Sequence, residues 1–566
     1  MSTNDFWRKF SALLTVMALM PGVNLAQVQS QSALSGQVSS TEEGLMEGVL
    51  VSAKRAESWA IVTTTVATDP QGRYQFPADR LAPGQYTLRI RAAGYVLDSP
   101  QSVAIVAIPA QKPVSADLKL RKASVDQVAS QLTNSEWLIS IPGTEAQKAS
   151  IRGCNHCHTY ERIMRTRYDA EAFMGVLQRM SQHAPSSFPL MIQPNPLKRI
   201  GGGEMTPERL KLQQEARQRQ AAYLASINLS QSATWSYPLK TLPRPSGKAT
   251  RVIYTEYDLP ARTRQPHDVI VDAQGLVWYA SFGEQILGRL NPKTLEIREW
   301  AIPVNKPNRN KGVLDIQFDE DENIWMGNGL QNAIQKFDRK TEKFQTFPLA
   351  REFDADHVEL LFMNPKNHKV DGKVWVNNNG EWSLLRVDVA TGKWEKFEPF
   401  KFPRPNIYQV LSDSQNNGWF TVFGRAHIGR IDAKTGDIKL FETPMPDTAP
   451  RRGMVDAQDR VWVALNKTDH VAMFDPKTEK FQTWSLGIPE YYAYDVWSDR
   501  NGEAWASTEY ADRVVRLNPA TGEITRYLLP SETNMRRAHG DNTSKLVNFW
   551  VGATHTASVV RLEPLE

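Results

Sequence analysis

Hydrophobic and polar positions divide the chain into three stretches with different periods. From residue 33 to 121, apolar residues alternate with polar ones in short runs separated by turn residues. Residues 48–53, 72–76 and 85–90 are such runs, and in the last one Tyr86, Leu88 and Ile90 share a face. The pattern predicts a set of short β-strands joined by turns. From residue 124 to 230 the period lengthens. Phe173, Val176, Leu177 and Met180 recur at the spacing of an amphipathic helix over 169–180. Thr206-Pro207-Glu208 opens another helix, with Thr206 as N-cap and Pro207 at the first helical position. It runs to about Asn228 and carries Leu210, Ala221, Tyr223, Leu224 and Ile227. Residues 185–203, rich in Pro and Gly, are loop. This second stretch is predicted to be all-α.

The remainder, 250–566, is a repeat array. Trp278, Trp325, Trp375, Trp419, Trp462, Trp505 and Trp550 follow one another at intervals of 43 to 50 residues. That is the period of four-stranded propeller blades. A second mark keeps the same phase: an Asn or Asp three residues before a Thr, at Asn291, Asp338, Asp388, Asp432, Asp475 and Asn518. Each such turn leads into a short strand with aromatics. The seventh unit lacks that last strand, and a matching strand stands at 251–257, ahead of the first unit. The prediction is a seven-bladed β-propeller closed by its own N-terminal strand, which leaves no long sheet edge exposed.

Composition changes this picture little. The chain has 566 residues, too many for one core, with 41% hydrophobic and 23% charged residues. A net charge of +5 spread over mixed signs gives no basic stripe, which argues against nucleic acid. The first 26 residues have the form of an export signal: Arg8 and Lys9, an apolar run over 12–20, and Ala26 before a cleavage point. The apolar run is about half the length that a bilayer requires, so a cleaved signal is favoured over an anchor. No later run is long and apolar enough to cross a membrane, and the mature protein is expected to be periplasmic or otherwise exported.

The chain has two cysteines, in Cys154-Asn155-His156-Cys157-His158. This is the attachment spacing of a c-type haem. Two thiols one helical turn apart can bond the two vinyl groups of one haem, and the next residue, His158, offers imidazole nitrogen to iron. The competing reading is a redox pair beside an unrelated histidine. The helical stretch resembles cytochrome c, which implies one covalent haem c and a methionine as sixth iron ligand. Met205, in the loop before the last helix, is where similar cytochromes place it. Met180 is the alternative, with Met191 and His183 behind them; plain core packing is the competing role for each methionine.

Two further resemblances concern the β regions. Residues 68–74, Pro83-Gly84-Gln85-Tyr86 and Ala93-Gly94-Tyr95 are similar to the carboxypeptidase regulatory-like domain, which implies a small β-sandwich over 33–121 that serves as a structural or docking module. The segment 267–278 and the following Gly288-Arg-Leu resemble the blades of the streptogramin lyase (virginiamycin B lyase) family. That family holds magnesium with a glutamate two residues before a catalytic histidine and an acid just after a blade tryptophan. Here those places hold Gln265, before His267, and Ser281, while Arg537 precedes His539. A hard cation needs carboxylate oxygens, so the lyase activity is not carried over. The polar residues that start the inner strands are expected to face the central channel: His267, Asp268, Asp315, Tyr408, Arg452, Tyr494, Asp495, Arg537 and His539. Such a ring either binds an acidic or oxygenated small molecule or satisfies itself around a wet channel.

Three functional readings follow. In the favoured one, the chain is a periplasmic electron carrier whose propeller binds a reductant or a partner dehydrogenase. One haem moves one electron at a time and no dinucleotide-binding glycine pattern stands out, so a redox partner protein is expected. The others are a propeller lyase or lactonase with an accessory haem domain, and a ligand-binding or sensing protein.

Overall fold

The computed structural model describes residues 32–57, 61–99, 103–110, 112–194, 206–353, 361–379, 382–401 and 405–566. Residues 1–26, expected to be an export signal, and Met205 lie outside the described residues. Two sheets form the N-terminal sandwich. One holds Ser32–Ser40, Gly44–Leu45, Arg73–Pro77, Tyr95–Leu97, Val114–Ser115 and Leu118–Lys122. The other holds Leu50–Arg55, Val62–Ala67, Gly84–Arg91 and Ala104–Ile108. Tyr86 and Leu88 are buried in its core and Ile90 packs against it, as the alternation predicts.

The described part of residues 124–230 contains helices and no regular strand: α1 (Val125–Ala129), α2 (Asn134–Ser140), α3 (Glu145–Ile151), α4 (Tyr160–Met164), α5 (Ala170–Met180) and α6 (Pro207–Ile227). Their starts are chemically encoded. Ser124/Gln127, Thr133/Glu136 and Thr144/Gln147 form reciprocal capping boxes at α1, α2 and α3. Asp169 caps α5, and Thr206 caps α6 with Pro207 in the first turn. The core is built on Trp137, Ile151, Tyr160, Phe173 and Leu224. Two positions differ from the sequence expectation. Leu210 is 50% exposed, because α6 packs through its C-terminal half, where Ala221, Tyr223, Leu224 and Ile227 are buried. Met180 is 40% exposed at the last turn of α5 instead of filling the core. Among the described residues no helix is long and apolar enough to cross a membrane.

The remainder is a ring of seven antiparallel four-stranded blades. In blade 7, Ala538–Asp541, Asn548–Ala553 and Ser558–Pro564 are completed by Val252–Asp258, in register from Val252 opposite Pro564 to Asp258 opposite Ser558. The repeated tryptophans all sit on second strands and are fully buried. Six of them have a partner for the indole N–H, while the buried Trp550 Nε1 has none among the described residues. Trp278, Trp325, Trp419, Trp462 and Trp505 each donate to the carboxylate six residues earlier, at 2.9–3.0 Å: Asp272, Asp319, Asp413, Asp456 and Asp499. Trp375 uses the Asn416 carbonyl instead, at 2.8 Å. The second repeated mark is a set of Asx turns. Asp338 Oδ1, for example, accepts from the Lys340 and Thr341 amides at 2.8 and 2.9 Å.

The three stretches are not separate beads. Val62–Ala67 of the sandwich pairs with Val252–Asp258, so one sandwich sheet continues into blade 7 as an eight-stranded sheet and covers that blade's outer edge. Arg80 adds a two-pronged bond to Glu563, with both distances 2.9 Å. Tyr492 and Tyr510 of blade 6 are part of the helical core, and the Ser135 amide at the start of α2 donates to the Tyr510 carbonyl at 2.9 Å.

Candidate functional site

Cys154 lies on a short 3₁₀ helix, Arg152–His156, between α3 and α4, and Cys157 is the residue that caps its C-terminal end. Both thiols are free and partly buried. Burial pushes the Cys154 thiol up to about 12, with the neighbouring Cys157 adding to the shift, and raises Cys157 as well. His158 follows on the turn into α4. Its Nδ1 lies 3.0 Å from the Thr159 carbonyl, which fixes the ring proton on Nδ1 and leaves the Nε2 lone pair free. Burial lowers its pKa and keeps the imidazole neutral, the form that ligates metal.

Cys154, Cys157 and His158 line one cavity of about 1020 Å³. This is at the upper end of the roughly 300–1,000 Å³ usual for ligand pockets. Phe173, Val176 and Leu177 from α5, with Ile163, Phe188 and Ile192, supply apolar wall. Arg162, Arg179 and Arg217 also line it, and Met180 and His183 stand at the end of α5. Met191 does not belong to this wall. Its methyl group packs at Gly283 of blade 1, in space that a Cβ there would need.

The residues present fit a haem c. Two free thiols, a neutral imidazole on the following residue, an apolar wall and several guanidinium groups share one cavity. The thiols would carry the macrocycle, His158 would ligate iron, and the arginines match the charge of carboxylate side arms.

The second cluster lies at the mouth of the propeller channel. His267 Nδ1 donates to Asp268 at 2.6 Å, and the Tyr494 hydroxyl reaches His267 Nε2 at 3.4 Å. Tyr408 and Tyr494 share a hydroxyl–hydroxyl bond of 2.9 Å. Arg452, fully buried, donates from Nη1 to Asp268 at 3.0 Å and to Asp315 at 3.4 Å. Arg537 donates to Asp315 at 2.7 Å, with Asp495 at 3.7 Å from its Nε. Burial holds His267 down to about 4, so it is neutral at pH 7. Burial raises Asp495 to about 7 against the pull of Arg537 and Arg452. Burial also opposes ionisation of Asp268, but Arg452 and His267 outweigh it and hold this carboxyl well below its usual range.

Eight of the nine residues expected in the channel are thus brought together. His539 is not. It packs against Trp497, with ring centres 5.7 Å apart, and its Nδ1 accepts the Val271 amide at 3.4 Å.

Strand alternation alone does not explain this convergence. A β-bulge interrupts the inner strand of blade 4 at Tyr408-Gln409, of blade 5 at Arg451-Arg452, and of blade 6 at Tyr494-Asp495. At each, two residues oppose one on the next strand. The inner strand of blade 1 shifts register in the same way at His267. Bulges re-aim side chains, so consecutive residues both reach the cluster.

Sequence reasoning missed Arg451, Arg536 and Glu509. Glu509, from the loop after the second strand of blade 6, pairs with both Arg451 and Arg536. Three guanidinium groups surround the Tyr494 ring, Arg451 at 4.1 Å, Arg536 at 5.5 Å and Arg452 at 5.6 Å from its centre. The doublets Arg451-Arg452 and Arg536-Arg537, at equivalent places in blades 5 and 7, were the available signal.

The two clusters adjoin. His156 Nε2 is 3.9 Å from Glu509, and Asn534 Nδ2 donates to the Asn155 carbonyl at 3.2 Å. At blade 1, Gln265 donates to the Ser186 carbonyl at 3.0 Å, and Gln193 to the Gly283 carbonyl at 3.0 Å. The helical unit therefore sits across the face of the propeller where the inner strands begin. Gln265, which stands where the lyase pattern has a metal-binding glutamate, holds this docking. Among the described residues no group of three or more His, Cys, Asp or Glu side chains is placed to hold a metal ion.

Comparison with known proteins agrees with the N-terminal reading. Residues 33–121 match the sequence profile of the carboxypeptidase regulatory-like domain. A stretch of 104 residues is 23% identical to the photosystem II assembly lipoprotein Ycf48 of Prochlorococcus marinus (strain MIT 9312), covering 18% of this chain and 30% of that protein. Among solved structures, the propeller is similar to a streptogramin B lyase, at 18% identity and a TM-score of 0.48, covering 56% of this chain and 99% of that one. It is similar also to virginiamycin B lyase from Staphylococcus aureus, at 17% identity and a TM-score of 0.47, covering 55% and 98%.

Proposed function

We propose that the chain is an exported, periplasmic c-type cytochrome that carries one haem c on Cys154, Cys157 and His158 and transfers electrons. The observation that supports this best is the sharing of one large, mostly apolar cavity by two free thiols and a neutral imidazole. The bound group would supply one-electron chemistry. The chain's own residues would hold it, Cys154 and Cys157 by thioether bonds and His158 at iron, and α5 would shield it from water on one wall. Met180 is the sixth-ligand candidate on the cavity wall, and Met205 remains the other. The propeller then offers a polar mouth beside the haem site, where a reductant binds or a partner dehydrogenase docks.

The test is expression in a host that matures c-type cytochromes, followed by mass measurement and visible spectroscopy. A mass increase of one haem and a low-spin spectrum are expected, and both should be lost in a Cys154→Ala/Cys157→Ala variant. An intact mass equal to the bare polypeptide would defeat the proposal. Oxidised protein should then be mixed anaerobically with periplasmic small molecules, with and without the protein fraction, to separate direct substrate oxidation from service to a dehydrogenase.

A second reading, a lyase or lactonase on the propeller, has one observation in its favour. The neutral His267, held by Asp268 and linked to Tyr494 and Tyr408, has the composition of a proton-transfer site. Turnover that needs a divalent metal and persists without haem would establish it. Ligand binding with neither redox change nor turnover would instead indicate a sensing protein.

A further inference from the structure

Arg452 makes its ion pairs through one nitrogen. Nη1 serves Asp268 and Asp315, while Nε and Nη2 are buried and without a partner. Those two atoms form the edge of a guanidinium that a carboxylate bridges with two parallel bonds. The Nε of Arg451, next along the bulge, is buried and unpartnered too. Buried donors are normally satisfied, so an unused pair at the focus of a charged cluster needs an acceptor. The local charge balance points the same way. Four guanidinium groups, of Arg451, Arg452, Arg536 and Arg537, face the carboxylates of Asp268, Asp315, Asp495 and Glu509. Asp495 is the weak member, since burial raises it to about 7 and favours its neutral form. Burial, with Arg451 nearby, pulls Arg536 down to about 10, as in a site short of negative charge.

We infer that the channel mouth binds a small carboxylate-bearing molecule, received by the free Nε/Nη2 edge of Arg452 and the Nε of Arg451. Phe362, 4.3 Å from the Arg452 guanidinium, and Tyr494, stacked on Arg451, hold these groups in plane, leaving the donor edges as the recognition elements. The site lies beside His156 of the haem motif, so an occupant would sit next to the redox centre. Binding itself does not depend on the haem.

The test uses the full-length holoprotein, with acetate and para-bromobenzoate as probes and chloride as control. Calorimetry should show saturable binding of a carboxylate, weakened about tenfold or more by Arg452→Gln, since tenfold is the loss of roughly one good hydrogen-bonded contact. Should Arg452→Gln fail to fold, Arg451→Gln should weaken binding and wild-type crystals should show bromine anomalous density at Arg452. No saturable binding of either probe would overturn the inference. So would equal binding by a folded Arg452→Gln variant, or bromine found only beside Arg162, Arg179 or Arg217. Because heat and bromine position are read independently of the haem spectrum, failure here leaves the cytochrome proposal standing, and the converse also holds.

Discussion

The Asn155 side chain, at the middle of the Cys-x-x-Cys-His segment, donates from Nδ2 to the Glu509 carbonyl at 2.9 Å. The Asn155 Oδ1 in turn accepts from Asn134 at 2.5 Å. Asn155 is fully buried, so the haem motif is bolted to the same residue whose carboxylate engages Arg451 and Arg536. The Cys-x-x-Cys-His segment and the channel mouth are joined through one loop of blade 6.

Replacement of His158 by Ala should remove the low-spin signature. The thioether attachment chemistry is left intact, so the expected product keeps the added mass while its visible spectrum becomes high-spin. An unchanged spectrum would show that iron takes its proximal ligand elsewhere.

Loss of a thioether sulfur ligand lowers a haem potential. Met180→Ala should therefore lower the midpoint potential in a spectroelectrochemical titration, with Met205→Ala as the paired control. The reverse pattern would assign the ligand to Met205. A fall in neither variant would leave His183, at the same end of α5, as the remaining candidate on the cavity wall.

The tryptophan–aspartate pairs should matter to stability more than to ligand binding. Asp456→Ala leaves the buried Trp462 N–H without its acceptor, at a cost of about 1–3 kcal/mol. Trp462→Ala also empties the space stacked against Trp484 and should cost about 3–5 kcal/mol. Urea denaturation followed by circular dichroism would rank them. A midpoint unchanged in Trp462→Ala would contradict the packing role.

Asp495 should make stability depend on pH. Its folded value of about 7 lies above the ordinary 3.8, so the native state binds more protons between those values than the unfolded chain does. Its contribution is fully present below about pH 4 and is lost as pH rises toward 7. Subtracting the pH dependence of the urea midpoint of Asp495→Asn from that of the wild type should leave a component falling with pH over that window. A flat or rising difference would show that Arg537 and Arg452 overcome burial.

Much of the architecture was legible because it repeats. One tryptophan per unit marks a second strand with a buried indole, and one Asx turn in each of the first six units marks the hairpin before the last strand. The strand at 251–257 was readable as the missing quarter of blade 7 because a ring must close. Local chemistry also exposed the helix starts at Asp169 and Thr206. The hairpin-like continuation of the sandwich into blade 7 was not readable, since pairing between Val62–Ala67 and Val252–Asp258 joins residues nearly two hundred positions apart and leaves no periodic mark.

For the candidate sites the division is sharper. Cys154, Cys157 and His158 stood out by spacing, because the proposed covalent attachment to one rigid ring would demand neighbours along the chain. The arginine-lined mouth depends on geometry that spacing does not encode. Alternation with period two sends Arg451 and Arg452, or Tyr494 and Asp495, to opposite faces, and the bulges in blades 5 and 6 bring both members of each pair to the channel. The sequence by itself determined which chemistries the protein owns: a thiol pair with its imidazole, and rows of strand-starting charges. Only the tertiary structure decided that these meet, because a backbone irregularity of one residue and the docking of Asn155 on Glu509 are set by packing between distant segments.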